Sequence, residues 1–358
     1  VRDGAFVDEG VVVGDECFVG AGAVVNPGVK IFPFKSVEEG AVVTSSIVWE
    51  TKGARTLFGR RGVRGLANVD ITSEVAVRIA MAYGTALKKG ATVCASRDSS
   101  RSARALKRAL IAGLNLSGVN VMDLELATVP LTRFQVRSRA ADGGFSVRLA
   151  PGDPDSIEIR FMDANGTDID EGAQRKIDRL LYREDFRRAF AGDIGDITFS
   201  PRAVEFYTTA LEACVDAGAV RRRGFKVVLD YSFGAVAMAM PTVLSKLGAE
   251  VLAIDPYAAT GAAARAGSAE PERVARVGEL VRTSGSDVGF VFDADGETVV
   301  IVDGEGVALT HDEALLALVT LVSEQRPGAR FALPVSVSSG AERDRKSTRL
   351  NSSHGYIS

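Results

Sequence analysis

From its first residue the chain divides into sixes: VRDGAF, VDEGVV, VGDECF, VGAGAV, VNPGVK, IFPFKS, VEEGAV and VTSSIV. Every first position is Val or Ile (Val1, Val7, Val13, Val19, Val25, Ile31, Val37, Val43), and the fifth is mostly small or apolar (Ala5, Val11, Cys17, Ala23, Val29, Ala41, Ile47). A period of six belongs neither to a helix nor to one long alternating strand. It predicts a parallel solenoid over residues 1–50. Short strands turn a corner at each hexad, branched side chains stack inward, and glycines supply the positive φ of the corners.

After Trp49 the pattern becomes one of α/β layers. A helical stretch over residues 72–89, stopped by Gly90, precedes a strand over 91–95. Ser200 and Pro201 are placed to open a helix that Gly218 closes. Residues 225–255 read as strand, Gly234 turn, apolar helix through Leu247, Gly248 and strand, which is a right-handed βαβ crossover. A third layer starts near Val307, with a helix over 312–325 and a strand over 330–334, and does not complete. The expected domains are 1–50, 57–197, 198–305 and a truncated 306–343. Residues 344–358 have no period and few apolar side chains; they resemble a translated sequencing adapter and carry no functional weight.

Composition narrows the function classes. With 43 Lys+Arg against 46 Asp+Glu and a net charge of −3, there is no broad basic field for nucleic acid or an anionic membrane. The longest apolar run, residues 314–322, is far shorter than the roughly 20 residues of a membrane helix. Cys17, Cys94 and Cys214 are odd in number and lack metal-ligand spacing, which suits a reducing, cytoplasmic compartment. Val1 opens within a repeat, so the polypeptide is expected to extend upstream.

Three loops concentrate chemistry. FGRRGVRG, residues 58–65, couples flexible Gly59, Gly62 and Gly65 with the forks of Arg60, Arg61 and Arg64; it suits phosphate, or is an exposed basic linker. ASRDSSRSARAL places Arg97, Asp98, Arg101 and Ser102 between a strand and a helix N-terminus that favours an anion. The stripe Arg101, Arg104, Lys107 and Arg108 has the spacing of a solvated helix face. In VFDADGETVV, Asp293, Asp295 and Glu297 alternate after an apolar strand and could converge on a hard cation such as Mg²⁺. Spacing alone favours a hairpin whose Asp295-Gly296 turn carries exposed acids.

In this order the loops resemble the phosphohexomutase family, the phosphoglucomutases and phosphomannomutases, over residues 57–342. FGRRGVRG is similar to the family's FGTDGIRG, Thr128-Val129-Pro130 to its TP turn, VVLDYSFGAV to the opening of its second domain, and FDADGE to its metal loop DGDGDR. The hexads resemble the repeats of left-handed parallel β-helices. That family includes acyltransferases, but their catalytic histidine is missing, since His311 and His354 lie far from the repeat. The solenoid is therefore read as a spacer or oligomer contact. The fold expected is α/β, a short left-handed parallel β-helix followed by phosphohexomutase-type domains, the first two complete and the third truncated.

The resemblance implies hexose phosphate substrates, with Arg64, Arg97, Arg101 and Ser102 as phosphate contacts and Asp293, Asp295 and Glu297 on Mg²⁺. It also implies a phosphoserine within TASHNP. Here GGFSVRLAPGDPDSIEIRF takes that place, with Ala150 at the serine and Pro151 at the histidine; Ser146 and Ser156 lie nearby but off the motif. The whole order is similar to bacterial mannose-1-phosphate guanylyltransferase fusions, whose upstream part is a nucleotidyltransferase domain. The expectation is a sugar-phosphate-binding or regulatory body in nucleotide-sugar synthesis. The alternative is a working mutase that interconverts hexose 6- and 1-phosphates. A homo-oligomer fits the solenoid; nucleic acid and membrane partners are not expected.

Overall fold

The computed structural model describes residues 1–33, 35–44, 46–47, 52–53, 57–258, 270–326, 328–331 and 333. The completion of the third layer and the 344–358 tail fall outside them; Arg330 and Phe331 are described and carry no strand.

The hexads form two-residue strands, Phe6–Val7, Val12–Val13, Phe18–Val19, Val24–Val25, Lys30–Ile31, Ser36–Val37 and Val42–Val43 (β1–β7). They pair in parallel three hexads apart: Phe6 with Val24 and Val24 with Val42, Val12 with Lys30, Phe18 with Ser36. The last coil breaks the count, because Ser36 pairs with Lys52 in Lys52–Gly53 (β8). The fourth hexad positions supply the corners. Gly4, Gly10, Gly22, Gly28 and Gly40 have positive φ, and Glu16 takes φ +53° where its hexad has no glycine at the fourth position. Val19, Val25, Ile31, Val37 and Val43 stack inside with Ala23, Val29, Ala41 and Ile47. Val1, Val7 and Val13 hold the same hexad position and are exposed.

The first α/β body contains Phe58–Gly59 (β9), Gly62–Leu66 (β10), Ser73–Ala86 (α1), Thr92–Arg97 (β11), Arg101–Leu116 (α2), Asn120–Leu126 (β12), Val129–Ser138 (α3), Gly143–Ala150 (β13), Asp153–Met162 (β14), Glu171–Arg183 (α4) and Ile197–Phe199 (β15). Its seven-stranded sheet runs β15-β12-β11-β13-β14-β10-β9. Strands β15, β12, β11 and β13 are parallel, and β14, β10 and β9 follow antiparallel. Helix starts follow local chemistry: Thr72, Ser100, Thr128 and Asp170 each accept a backbone N–H of the first turn. Val93, Phe145, Val147, Ile157 and Ile159 pack with Ile79, Leu110 and Leu114 to form the core.

The second body contains Ala203–Glu212 (α5), Ala217–Arg223 (α6), Lys226–Asp230 (β16), Met240–Lys246 (α7), Glu250–Ile254 (β17), Glu270–Ser284 (α8), Val288–Phe292 (β18) and Val299–Val302 (β19). Its sheet runs β17-β16-β18-β19, parallel until β19 turns back against β18. His311–Gln325 (α9) follows behind a Thr310–Glu313 capping box. The helix expected from Ser200 to Gly218 is two. Helix α5 begins after Arg202 without a side-chain cap, and Gly218 lies inside α6, which Asp216 caps and Gly224 closes at φ +63°. Among the described residues no helix is long and apolar enough to cross a membrane.

The expected solvated stripe on α2 also needs correction. Arg101, Arg104 and Arg108 are exposed, but Lys107 is buried with its ammonium 2.5 and 2.6 Å from the carboxylate of Asp123 on β12. It lies one residue from Leu106 and three from Leu110, on the side of α2 that meets the sheet, and its charge is met by buried Asp123 and by Glu125 at 3.3 Å. Lys107→Met strands Asp123 and should cost about 3–5 kcal/mol in urea unfolding; adding Asp123→Leu should recover most of it.

Asp142 is desolvated, which alone would raise its pKa, but Lys88 at 2.8 Å and the Thr92 amide at 2.9 Å outweigh burial and hold it below the usual carboxylate value. Its stabilisation is therefore present above the unfolded pKa and lost as pH falls through the lower folded one. Asp142→Asn should be less stable than the parent at neutral pH and converge with it in acid, read by thermal unfolding across pH.

Candidate functional site

Strands β13 and β14 form the floor of the site. Side chains alternate between faces along a strand, so Ser146, Arg148 and Ala150 share one face of β13. Across the ladder, Ser146 lies opposite Arg160 and Arg148 opposite Glu158. The ladder slips past Leu149, and Ala150 pairs with Asp153 around a turn that Gly152 makes at φ +72°. From the second body, the turn between β18 and β19 reaches this floor. Ala150, Pro151, Asp293, Asp295 and Thr298 line a cavity of about 200 Å³ between the two bodies, with Arg61, Asp98, Glu270 and Arg273 at its sides.

The turn is the hairpin that the spacing favours, but its acids are not exposed. Arg148, 1% exposed, donates to Asp295 at 3.2 Å, and Arg160 stands 3.5 Å from the other Asp295 oxygen. Glu297 accepts from Arg133 at 3.1 Å and from Arg160. The guanidinium of Arg148 is itself pinned by the Ser146 hydroxyl at 2.8 Å and by the Ala127 carbonyl. The first N–H of α3, on Val129, donates to the Asp295 carbonyl at 3.1 Å. Burial pushes the Asp295 carboxyl upward, opposed in part by Arg148 and Arg160, with Asp293 and Asp98 adding to the rise. For Glu297 burial is outweighed by Arg160 and Arg133, and its pKa falls.

The predicted phosphate contacts are spread around this cavity rather than in it. Arg64 pairs with Asp153 at 3.1 Å. Arg97 is buried and spends its guanidinium on Glu125 at 3.0 Å and the Asp98 carbonyl at 2.9 Å. Arg101 is exposed on the first turn of α2, and Ser102 bonds Ser100. None of the four lines the cavity; the arginine of that basic loop that does is Arg61. Asp98 serves as scaffold, accepting from the amides of Ser100 and Leu149 at 2.8 Å and so holding the strand end that carries Ala150. Ser146 is fully buried beneath Arg148, and Ser156 is buried on β14.

Arg133, Arg148 and Arg160 were not legible as site residues. A signal existed: Arg148 and Arg160 interrupt apolar strand patterns at alternate positions, where a charge must find a buried partner.

The residues present do not fit a divalent cation. Both carboxylate oxygens of Asp295 and of Glu297 face guanidinium nitrogens, and one Asp293 oxygen accepts the Glu297 amide at 2.9 Å. Among the described residues no group of three or more His, Cys, Asp or Glu is placed to hold a metal ion.

At the tip of the hairpin, Gly296 has φ +72°, and a Cβ there would meet Val236 at 2.8 Å and Thr128 at 3.1 Å. Gly296→Ala should destabilise by about 1–2 kcal/mol from the left-handed backbone alone, and by more where the turn presses on the cap of α3. Chemical denaturation reads the loss.

Comparison with known proteins agrees with this layout. The signature of phosphoglucomutase/phosphomannomutase alpha/beta/alpha domain I matches residues 55–188, and that of domain II matches residues 205–306. The chain is 30% identical over 286 residues to a phosphoglucomutase/phosphomannomutase of Thermococcus kodakarensis, covering 79% of this chain and 62% of that protein. It is 31% identical over 267 residues to a phosphoglucosamine mutase of Natranaerobius thermophilus, covering 73% of this chain and 58% of that one. The chain thus spans about three-fifths of the length of these relatives. A crystal structure of a phosphoglucomutase/phosphomannomutase family protein from Burkholderia thailandensis shares the fold, with TM-score 0.67 and 21% identity over 77% of this chain and 60% of that one. With both domain signatures in order over well over half of its length, the chain belongs to the phosphoglucomutase/phosphomannomutase family through domains I and II.

Proposed function

We propose that this chain is a sugar-phosphate-binding body that holds a hexose phosphate in the cleft between domains I and II without transferring its phosphate. The observation that carries this reading is Ala150. Its methyl group lies at the end of β13, in the cavity wall, where the family resemblance sets the phosphoserine. Phosphoryl transfer through the enzyme needs an oxygen there to form and break the P–O bond. Alanine has none; Ser146, four residues back on the strand, is fully buried and accepts from Arg148, and Ser156 on β14 is buried. Of the residues that line the cavity, Arg61, which is exposed, and Thr298 are the ones placed to contact an anion.

The parallel three-hexad offset of β1–β7 supports reading residues 1–50 as a short left-handed β-helix. In this proposal the β-helix joins the body to a nucleotidyltransferase domain of the mannose-1-phosphate guanylyltransferase type, and the body senses or retains hexose phosphate for it in the cytoplasm.

The test is incubation with a labelled hexose 1,6-bisphosphate and Mg²⁺, followed by intact mass, for the parent and for Ala150→Ser. Neither should take up covalent phosphate, because the serine variant still has its hairpin acids on arginines. Covalent phosphate on the parent would establish a working mutase instead. In parallel, mannose 6-phosphate should raise the melting temperature in a saturable manner, and Arg61→Ala should abolish most of that rise.

A further inference from the structure

We infer that the guanidinium groups of Arg148 and Arg160 occupy the role of a divalent cation at the domain II hairpin, making the junction of domains I and II a metal-independent clamp. The hairpin presents three carboxylates, and a hard cation would need several of their oxygens at once. Asp295 Oδ1 is taken by Arg148 at 3.2 Å and Oδ2 is faced by Arg160 at 3.5 Å. Glu297 Oε1 is taken by Arg133 at 3.1 Å and Oε2 by Arg160. Asp293 Oδ1 accepts the Glu297 amide at 2.9 Å, which folds the turn back on itself.

The arginines cannot easily swing aside. Arg148 is held by the Ser146 hydroxyl and the Ala127 carbonyl, and Arg160 by Glu158 on its own strand. Both come from adjacent strands of domain I, whereas both acids come from domain II. Each bond therefore ties one domain to the other, as a metal shared between them would. A dication entering this cluster would meet fixed positive charges within 3.5 Å of the oxygens it needs. A planar fork also holds two carboxylates directionally, which a spherical ion does not.

This inference is independent of whether the cleft binds a sugar phosphate, and its test leaves that question untouched. Mn²⁺ is titrated into the protein and the free-ion signal followed by electron paramagnetic resonance, beside Asp295→Asn. Equal signal for the two proteins is expected, including any loss at unrelated surface acids that both share. Loss of free Mn²⁺ by the parent that Asp295→Asn removes would overturn the clamp. Thermal melts in EDTA and in MgCl₂, against NaCl of matched ionic strength, should superimpose; a rise specific to Mg²⁺ and absent in Asp295→Asn would likewise overturn it. A double-mutant cycle reads the clamp itself. Arg160→Met and Glu297→Gln should each lower the melting temperature, and the double variant should lose clearly less than the sum. If Arg160→Met does not fold, Arg133→Met closes the same cycle at a partly exposed pair. Additive losses would mean that the charges do not hold the domains together.

Discussion

The structure turns on a requirement that charge leaving water must find opposite charge. The domain II hairpin carries Asp295 into a position 8% exposed, and domain I meets it with Arg148, 1% exposed, and Arg160, 3% exposed. Left singly, any of these would be strongly destabilising. They meet across the domain boundary, beside the cavity that Ala150 and Asp295 line.

Domain I explains why the partner groups are in place. Antiparallel pairing of β13 with β14 brings Arg148 opposite Glu158 and Ser146 opposite Arg160, so one sheet face displays a ladder of polar side chains amid a core of Val, Ile and Phe. Asp98, on the neighbouring loop, ties the backbone of Leu149 to the N-terminal cap of α2. The same tie fixes the strand end at Ala150, on which the proposed reading of binding without group transfer rests.

The solenoid and the body follow different physics. The solenoid is quasi-one-dimensional. Each coil stacks on its neighbours, and the interior is buried from Val19 onward. The body is built by long-range strand pairing, in which β10, near the start, lies beside β14, and β15 closes the opposite edge. These are contacts between residues far apart in the chain.

The periodic elements were legible in the residues alone. The hexads predicted their strands and glycine corners, since a residue's place in a short repeat depends on its neighbours. The alternation of strands and helices, the Gly234 turn, the Asp295-Gly296 hairpin and the helix after Thr310 were readable for the same reason. Tertiary structure decided what each charge does. Lys107 reads as surface by spacing and is buried because Asp123 stands on the next strand. Arg97 reads as an anion contact and is paired with Glu125. Asp295 and Glu297 read as metal ligands or exposed acids and are held by arginines of another domain. A carboxylate or a guanidinium has the same local signature in water, on a metal or in an ion pair. The difference lies in which opposite charge the fold brings within about 3 Å, and that is a property of distant residues.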